Sequence, residues 1–212
     1  EKIAQLLPNY CNQIKYRNSE EAKKYDCLDF LKSVFDVASQ DLDFEVATKT
    51  ALKQIGRVDT TFQNILFEFK IDAKNSRAID TGENELKKYL QHFLEKEPDK
   101  TYIGIITDGI IFKPYQTIIE KNRVIDLHPT KELDISKESP EDIFYWFDTY
   151  FPKSEKIKPT SKLIKMHFGL DSVTFGSIRN DLKNLFEKVR DYNPVKLKFD
   201  NWSGYLEIVY GE

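Results

Sequence analysis

Gly56-Arg57-Val58-Asp59 is followed nine residues after its acid by Glu68-Phe69-Lys70, so two acids and a lysine fall on two successive extended segments. In residues 64–71, Asn-Ile-Leu-Phe-Glu-Phe-Lys-Ile, the alternation of a strand sends Ile65, Phe67, Phe69 and Ile71 to one face and Leu66, Glu68 and Lys70 to the other. The first face is rich in aromatic and β-branched residues, as a strand packed on a core requires. Glu68 and Lys70 are thereby neighbours, roughly 7 Å apart along the strand. Val58 to Phe62 reads as the preceding strand, with Gln63-Asn64 as a tight connection. An antiparallel hairpin of this kind brings Asp59 beside Glu68.

Carboxylates from adjoining strands suit Mg²⁺, a hard cation that keeps several waters and takes one or two protein carboxylates plus phosphate oxygens. Bound there, it would acidify a water and neutralise charge developing on a scissile phosphate. A lysine alongside would orient or deprotonate the attacking water, or stabilise the additional negative charge of the transition state. The expected chemistry is phosphodiester hydrolysis, with Mn²⁺ able to replace Mg²⁺. The same Glu-x-Lys spacing also occurs as a solvated ion pair worth well under ~1 kcal/mol.

Residues 56–115 resemble the core of the PD-(D/E)XK nuclease superfamily, and the wider arrangement is similar to the amino-terminal nuclease domain of type IIG and type I restriction-modification enzymes. Gly56 to Asp59 is similar to the family's G-x-x-D segment, and Glu68-Phe69-Lys70 to its (D/E)-x-K. Glu85-Leu86-Lys87-Lys88-Tyr89 resembles the Q-L-x-x-Y motif, with Glu85 where glutamine is usual. Tyr102 to Gly109 looks like the strand and T-D-G turn that follow. The family also carries a glutamate on its first helix, a position that Glu21 fits best, with Glu20 its neighbour. The resemblance implies a restriction-endonuclease-like α/β fold. It also implies Asp59 and Glu68 as metal ligands, Lys70 as the catalytic lysine, Glu21 as an accessory acid, and Glu85 and Tyr89 as accessory motif residues. Double-stranded DNA is the implied substrate. Methyltransferase and target-recognition domains or subunits are the implied partners, and S-adenosylmethionine or ATP would act only through those absent domains.

Several of these residues have a structural reading as well. Asn18-x-x-Glu21 has the pattern of a capping box, and acids in a helix's first turn are favoured by its dipole. Tyr89 lies on a stripe with Leu86, Leu90 and Phe93, and Asp108-Gly109 supplies the positive dihedrals of a hairpin turn.

The elements that must position these groups follow the order helix, strands, helix, strands, helices. Tyr25, Leu28, Leu31, Phe35 and Ala38 give residues 19–39 an apolar helical face. Residues 44–48 read as a first strand. Strand 65–71, helix 83–96 and strand 102–107 form a βαβ unit, and residues 110–116 and 121–127 extend a mixed sheet. Pro140 to Asp148 begins an aromatic helix with proline and acids at its start, suited to docking on the sheet. Residues 163–168 and 177–190 read as further helices, the latter with Ile178, Leu182, Leu185, Phe186 and Val189 on one side. The expected organisation is a nuclease core over residues 1–138 and a helical extension over 139–212 that leads toward absent domains.

The chain has 212 residues, 40% hydrophobic and 13% aromatic, enough for one sizeable core and an appendage. Its formal charge of −3 does not mark a nucleic-acid binder, but residues 152–165 hold five lysines and one acid. Within that run, Lys156, Lys158, Lys162 and Lys165 are candidate DNA-backbone contacts. Cys11 and Cys27 lack metal-ligand spacing, and His92, His128 and His167 are scattered. No apolar run approaches a membrane span, and the start has no secretory character, so a bacterial or archaeal cytoplasm is the expected setting. The alternatives to a restriction nuclease are a same-fold repair or phage-defence nuclease, and an inactive DNA-binding or assembly module.

Overall fold

The computed structural model describes residues 2–35, 42–50, 53–62, 64–98, 100–151, 159–170, 172 and 175–211, with residues 42–50, 53–60, 62 and 177 described by backbone alone. They fall into two compact units, Glu1–Val173 and Thr174–Glu212. Among the described residues no helix is long and apolar enough to cross a membrane.

The first unit is mixed α/β. It opens with two helices, α1 (Lys2–Lys15) and α2 (Glu20–Phe35). α1 buries Ile3, Leu7, Tyr10 and Ile14, a stripe at helical spacing that the expected element order omits. In α2 the Ser19 hydroxyl accepts from the Ala22 amide, so the cap is Ser19 rather than Asn18. Leu28, Leu31 and Phe35 are buried as expected, but Tyr25 is exposed. The buried side of α2 runs through Cys27, Leu28, Leu31 and Val34.

The strands are β1 (Leu42–Thr50), β2 (Lys53–Phe62), β3 (Ile65–Phe69), β4 (Ile103–Thr107), β5 (Ile111–Glu120), β6 (Arg123–Pro129) and β7 (Leu133–Asp134). They form one mixed sheet in the order β1-β2-β3-β4-β5-β6, with β7 paired to β5. Among the described residues only the β3–β4 pair is parallel, and helix α3 (Ser76–Lys96) makes the connection between them. α3 begins seven residues before the expected start at 83, because the Asn75 side chain caps it by accepting from the amides of Arg77 and Ala78. Gly82 lies inside the helix rather than marking its edge.

Alternation along β3 separates two cores. Ile65, Phe67 and Phe69 join α1, α2 and α4 (Pro140–Tyr150) on one side of the sheet. Leu66 joins Leu86, Tyr89 and Leu90 of α3 on the other. The structure therefore has helices on both faces of the sheet, the layering that buries a strand on both sides. Ile71, expected on the apolar face, lies past the strand end and is exposed.

Ser139 caps α4 by accepting from the Asp142 amide, next to Pro140. Its Trp146 and Phe147 rings lie 5.9 and 4.9 Å from Phe112 of β5. Each fully buried ring of this size contributes about 1.5–3 kcal/mol. The expected division at residue 138 thus falls ahead of a helix that shares the sheet's core, whereas the compact division lies between Val173 and Thr174. Helix α5 (Ser161–Phe168) closes the first unit.

The second unit consists of α6 (Phe175–Val189) and α7 (Asn193–Tyr210). Phe186 and Phe199 meet at 4.6 Å between ring centroids, while Leu182, Leu185 and Val189 on the expected apolar side of α6 stay exposed.

Candidate functional site

The sheet brings Glu68 and Lys70 together at the carboxyl end of β3. Lys70 Nζ donates to Glu68 Oε1 at 2.7 Å and to Glu85 Oε2 of α3 at 2.6 Å. Glu68 and Lys70 are almost wholly buried, and Glu85 is about one-third exposed. A buried ammonium between two carboxylates is a charge arrangement that keeps each group's desolvation compensated. Burial opposes the charge on Lys70, but the hydrogen bonds to Glu68 and Glu85 outweigh it and hold its pKa above the ordinary lysine value. Burial likewise raises Glu85, yet the bonds with Lys70 and Glu68 bring its carboxyl below the usual range.

Gly82 explains how Lys70 fits beneath α3. A Cβ at that position would lie 3.0 Å from Ile106 Cδ1 and 3.2 Å from Lys70 Cε. The missing side chain is a notch in which the lysine stem runs. Neither motif comparison nor periodicity singles Gly82 out, since a glycine inside a helical pattern reads as a breaker.

Four backbone contacts then fix the segment that follows β3. The Lys70 amide donates to the Thr107 carbonyl at 2.9 Å. The Ile71 amide donates to Glu20 Oε1 at 3.1 Å, and Lys23 Nζ donates to the Ile71 carbonyl at 2.6 Å, so the first turn of α2 clasps this residue on both sides. Finally, the Ala73 amide donates to Asp108 Oδ2 at 3.1 Å. Asp108 Oδ1 also accepts from Ile110 and Ile111. The Thr107-Asp108-Gly109 turn is therefore a hub for the site's backbone. Positive φ occurs at Gly109 alone in this turn, not at Asp108, because the Asp108 side chain rather than its backbone closes the loop.

Of the remaining candidates, Asp59 lies on β2 with its side chain outside the described residues. β2 and β3 pair antiparallel through Phe62–Ile65, Thr61–Leu66 and Thr60–Phe67. Asp59 and Glu68 are the next residues along their respective strands, beyond the last paired residues Thr60 and Phe67. Glu21 is exposed and pairs with Lys24 at 3.0 Å, so Glu20 is the helix acid that reaches the end of β3. Tyr89 is buried in the α3-side core. Lys156 and Lys158 lie outside the described residues. Lys162 pairs with Asp142, and Lys165 is exposed on α5. Cys11 and Cys27 are free thiols, and burial pushes Cys27 up to about 12, which keeps it protonated and unreactive.

Among the described residues no group of three or more His, Cys, Asp or Glu side chains is placed to hold a metal. Glu68 supplies one buried carboxylate, and the sequence places a second, that of Asp59, one residue beyond the last β2–β3 pair. Such an oxygen-donor pair fits a hard divalent cation that completes its sphere with water and phosphate. Comparison of the chain with protein-family models, curated proteins and solved structures finds no match.

Proposed function

We propose that this chain is a divalent-metal-dependent endonuclease domain with a restriction-endonuclease-like fold, hydrolysing DNA phosphodiester bonds within a restriction-modification enzyme. The observation that carries this reading is the convergence of Glu68, Lys70 and Glu85 at the end of β3, beside the Thr60–Phe67 pair that ends the β2–β3 ladder one residue from Asp59. The order of motifs around it, from Gly56 to Gly109, supports the family, and the mixed sheet with helices on both faces is compatible with it.

Asp59 and Glu68 would hold Mg²⁺, or Mn²⁺ in its place. When bound, the ion supplies Lewis-acid activation of water and charge neutralisation at the phosphate. Lys70 presents a positively charged donor to the same point, suited to stabilising negative charge that develops there. Glu85 holds that donor from the α3 side and Glu20 fixes the backbone beside it, so both are positioning residues. The lysines of residues 152–165 would follow the DNA backbone, with target choice made by domains beyond this chain.

The test is conversion of supercoiled plasmid to nicked and linear forms with Mg²⁺ or Mn²⁺, comparing the chain with Asp59→Ala and Lys70→Ala, and repeating the comparison in the full-length parent. Metal-dependent cutting lost in both variants, in either context, is the expected result. Equal behaviour of the parent and both variants, together with metal-independent DNA binding that weakens steeply with salt, would instead identify a binding or assembly module.

A further inference from the structure

We propose that the concavity between α4 and α5 is a binding site for a nucleoside phosphate, separate from the candidate catalytic centre. It has a volume of about 300 Å³, the lower end of the range for small-molecule sites. Lys131, Lys162 and Lys165 line it together with Trp146, Tyr150 and Met166, and among the described residues no acidic side chain lines it.

Charge is the first argument. In a chain with a formal charge of −3, three ammonium groups converge on one hollow. Lys162 is compensated by Asp142, but Lys131 and Lys165 form no ion pair among the described residues. Like charges gathered over an apolar floor repel one another, and an anion placed among them relieves that repulsion.

The floor is the second argument. Trp146 is fixed at one edge, where its Nε1 donates to the Lys131 carbonyl at 3.2 Å, and its ring lies 4.5 Å from that of Tyr150. The far wall is tied to the sheet, since Gln116 Nε2 of β5 donates to the Ser172 carbonyl at 2.9 Å. The Ser172 hydroxyl donates to the His167 carbonyl at 2.6 Å, and Thr149 supplies another hydroxyl on the wall. A bare phosphate would use only the lysines, and a neutral ring only the aromatic floor. A nucleotide matches both, with its base against Met166 and the small exposed parts of the otherwise buried Trp146 and Tyr150 rings, and its phosphate at the ammonium groups. The source is either a free nucleotide or a nucleotide within a single strand.

This site lies on the side of the sheet packed by α4, whereas Glu68, Lys70 and Glu85 lie on the α3 side. Its occupancy therefore does not depend on the nuclease reading, and Asp59→Ala or Lys70→Ala should leave it intact.

The experiment follows the fluorescence of Trp146 in the full chain carrying Trp202→Phe, which removes the other tryptophan. Metal-free titrations use adenosine monophosphate, adenosine, inorganic phosphate and a short oligodeoxyadenylate. The expected result is saturable binding of the monophosphate or the oligonucleotide tighter than about 1 mM, with adenosine and phosphate each weaker by ~10-fold or more. The tighter of the two nucleotide probes identifies the source. Lys131→Ala combined with Lys165→Ala changes two exposed side chains and should weaken binding by ~10-fold or more, while Lys131→Arg combined with Lys165→Arg retains it. No saturable response to either nucleotide probe, phosphate binding equal to that of the nucleotide, or unchanged binding in the double alanine variant with an unchanged circular dichroism spectrum would each overturn the proposal.

Discussion

Lys70 donates to Glu85 at 2.6 Å and so ties the end of β3 to the middle of α3 through a charged hydrogen bond. Glu85 is held below its ordinary value, so its contribution to stability is fully present above the unfolded carboxyl pKa and is lost as pH falls through the folded value. Lys70 is held above its ordinary value, so its contribution is present below the unfolded lysine pKa and is lost only as pH rises through the folded one. Between about pH 5 and pH 10 both contributions are in place. Glu85→Gln should cost about 1 kcal/mol near neutrality, less than a fully buried charged bond because Glu85 is partly solvated. Urea denaturation of both proteins should show this gap at about pH 7 and its narrowing toward about pH 3. A gap independent of pH would show that the charge on Glu85 is not its source.

Removing the ammonium should be more damaging than removing Glu85. Lys70→Met leaves the Glu68 and Glu85 carboxylates without their shared cation, one of them almost wholly buried. The expected cost is about 3 kcal/mol. Adding Glu68→Gln should recover about 1–2 kcal/mol of it, since the buried negative charge is then gone. A double variant less stable than Lys70→Met alone would mean that Glu68 is stabilised by groups other than Lys70.

Much of this site is visible in the chain itself. Alternation in residues 65–70 places Glu68 beside Lys70, and the hydrophobic spacing of 86–93 places a helix after it. The Lys70–Glu85 contact is of another kind, because it depends on how α3 lies across β3 and on Gly82 giving the lysine room. Local pattern also misplaces features where tertiary packing decides between alternatives. Tyr25 has helical spacing with Leu28, yet the helix turns its Cys27 side inward. Ser19 and Asn18 are both good capping residues, and the entry of the chain into α2 selects Ser19. α1 carries a regular apolar stripe, but Pro8 inside it disguises a helix that the core then stabilises.

Gly82→Ala should separate stability from activity. An alanine in a helix interior ordinarily gains up to about 1 kcal/mol over glycine. Here its Cβ meets Ile106 Cδ1 at 3.0 Å and Lys70 Cε at 3.2 Å, so both must shift by a few tenths of an ångström. The expected net stability change is within about 1 kcal/mol of zero, because the helical gain and the crowding oppose each other. On the nuclease reading, displacement of the Lys70 ammonium should slow plasmid cutting about 10-fold in whichever context is active. Full activity together with the full helical gain would mean that the lysine stem has slack.

Gly109 should tolerate no side chain. Its φ of +83° is a conformation that alanine adopts only with strain, and a Cβ there would lie 2.1 Å from Ile14 Cδ1 and 3.0 Å from Tyr10 Oη. Tyr10, 99 residues away in sequence, donates to the Gly109 carbonyl at 2.6 Å, so α1 closes directly over the turn. Backbone strain and overpacking together should make Gly109→Ala less stable by about 3 kcal/mol. Tyr10→Phe, which loses the hydrogen bond but keeps the ring stacked on Phe30 at 4.3 Å, should cost about 1 kcal/mol. Because the same turn holds Ala73 through Asp108, hydrogen exchange should report faster opening of the Ala73 amide in Gly109→Ala than in Tyr10→Phe. Equal protection of that amide in the two variants would show that the turn and the segment after Lys70 open independently.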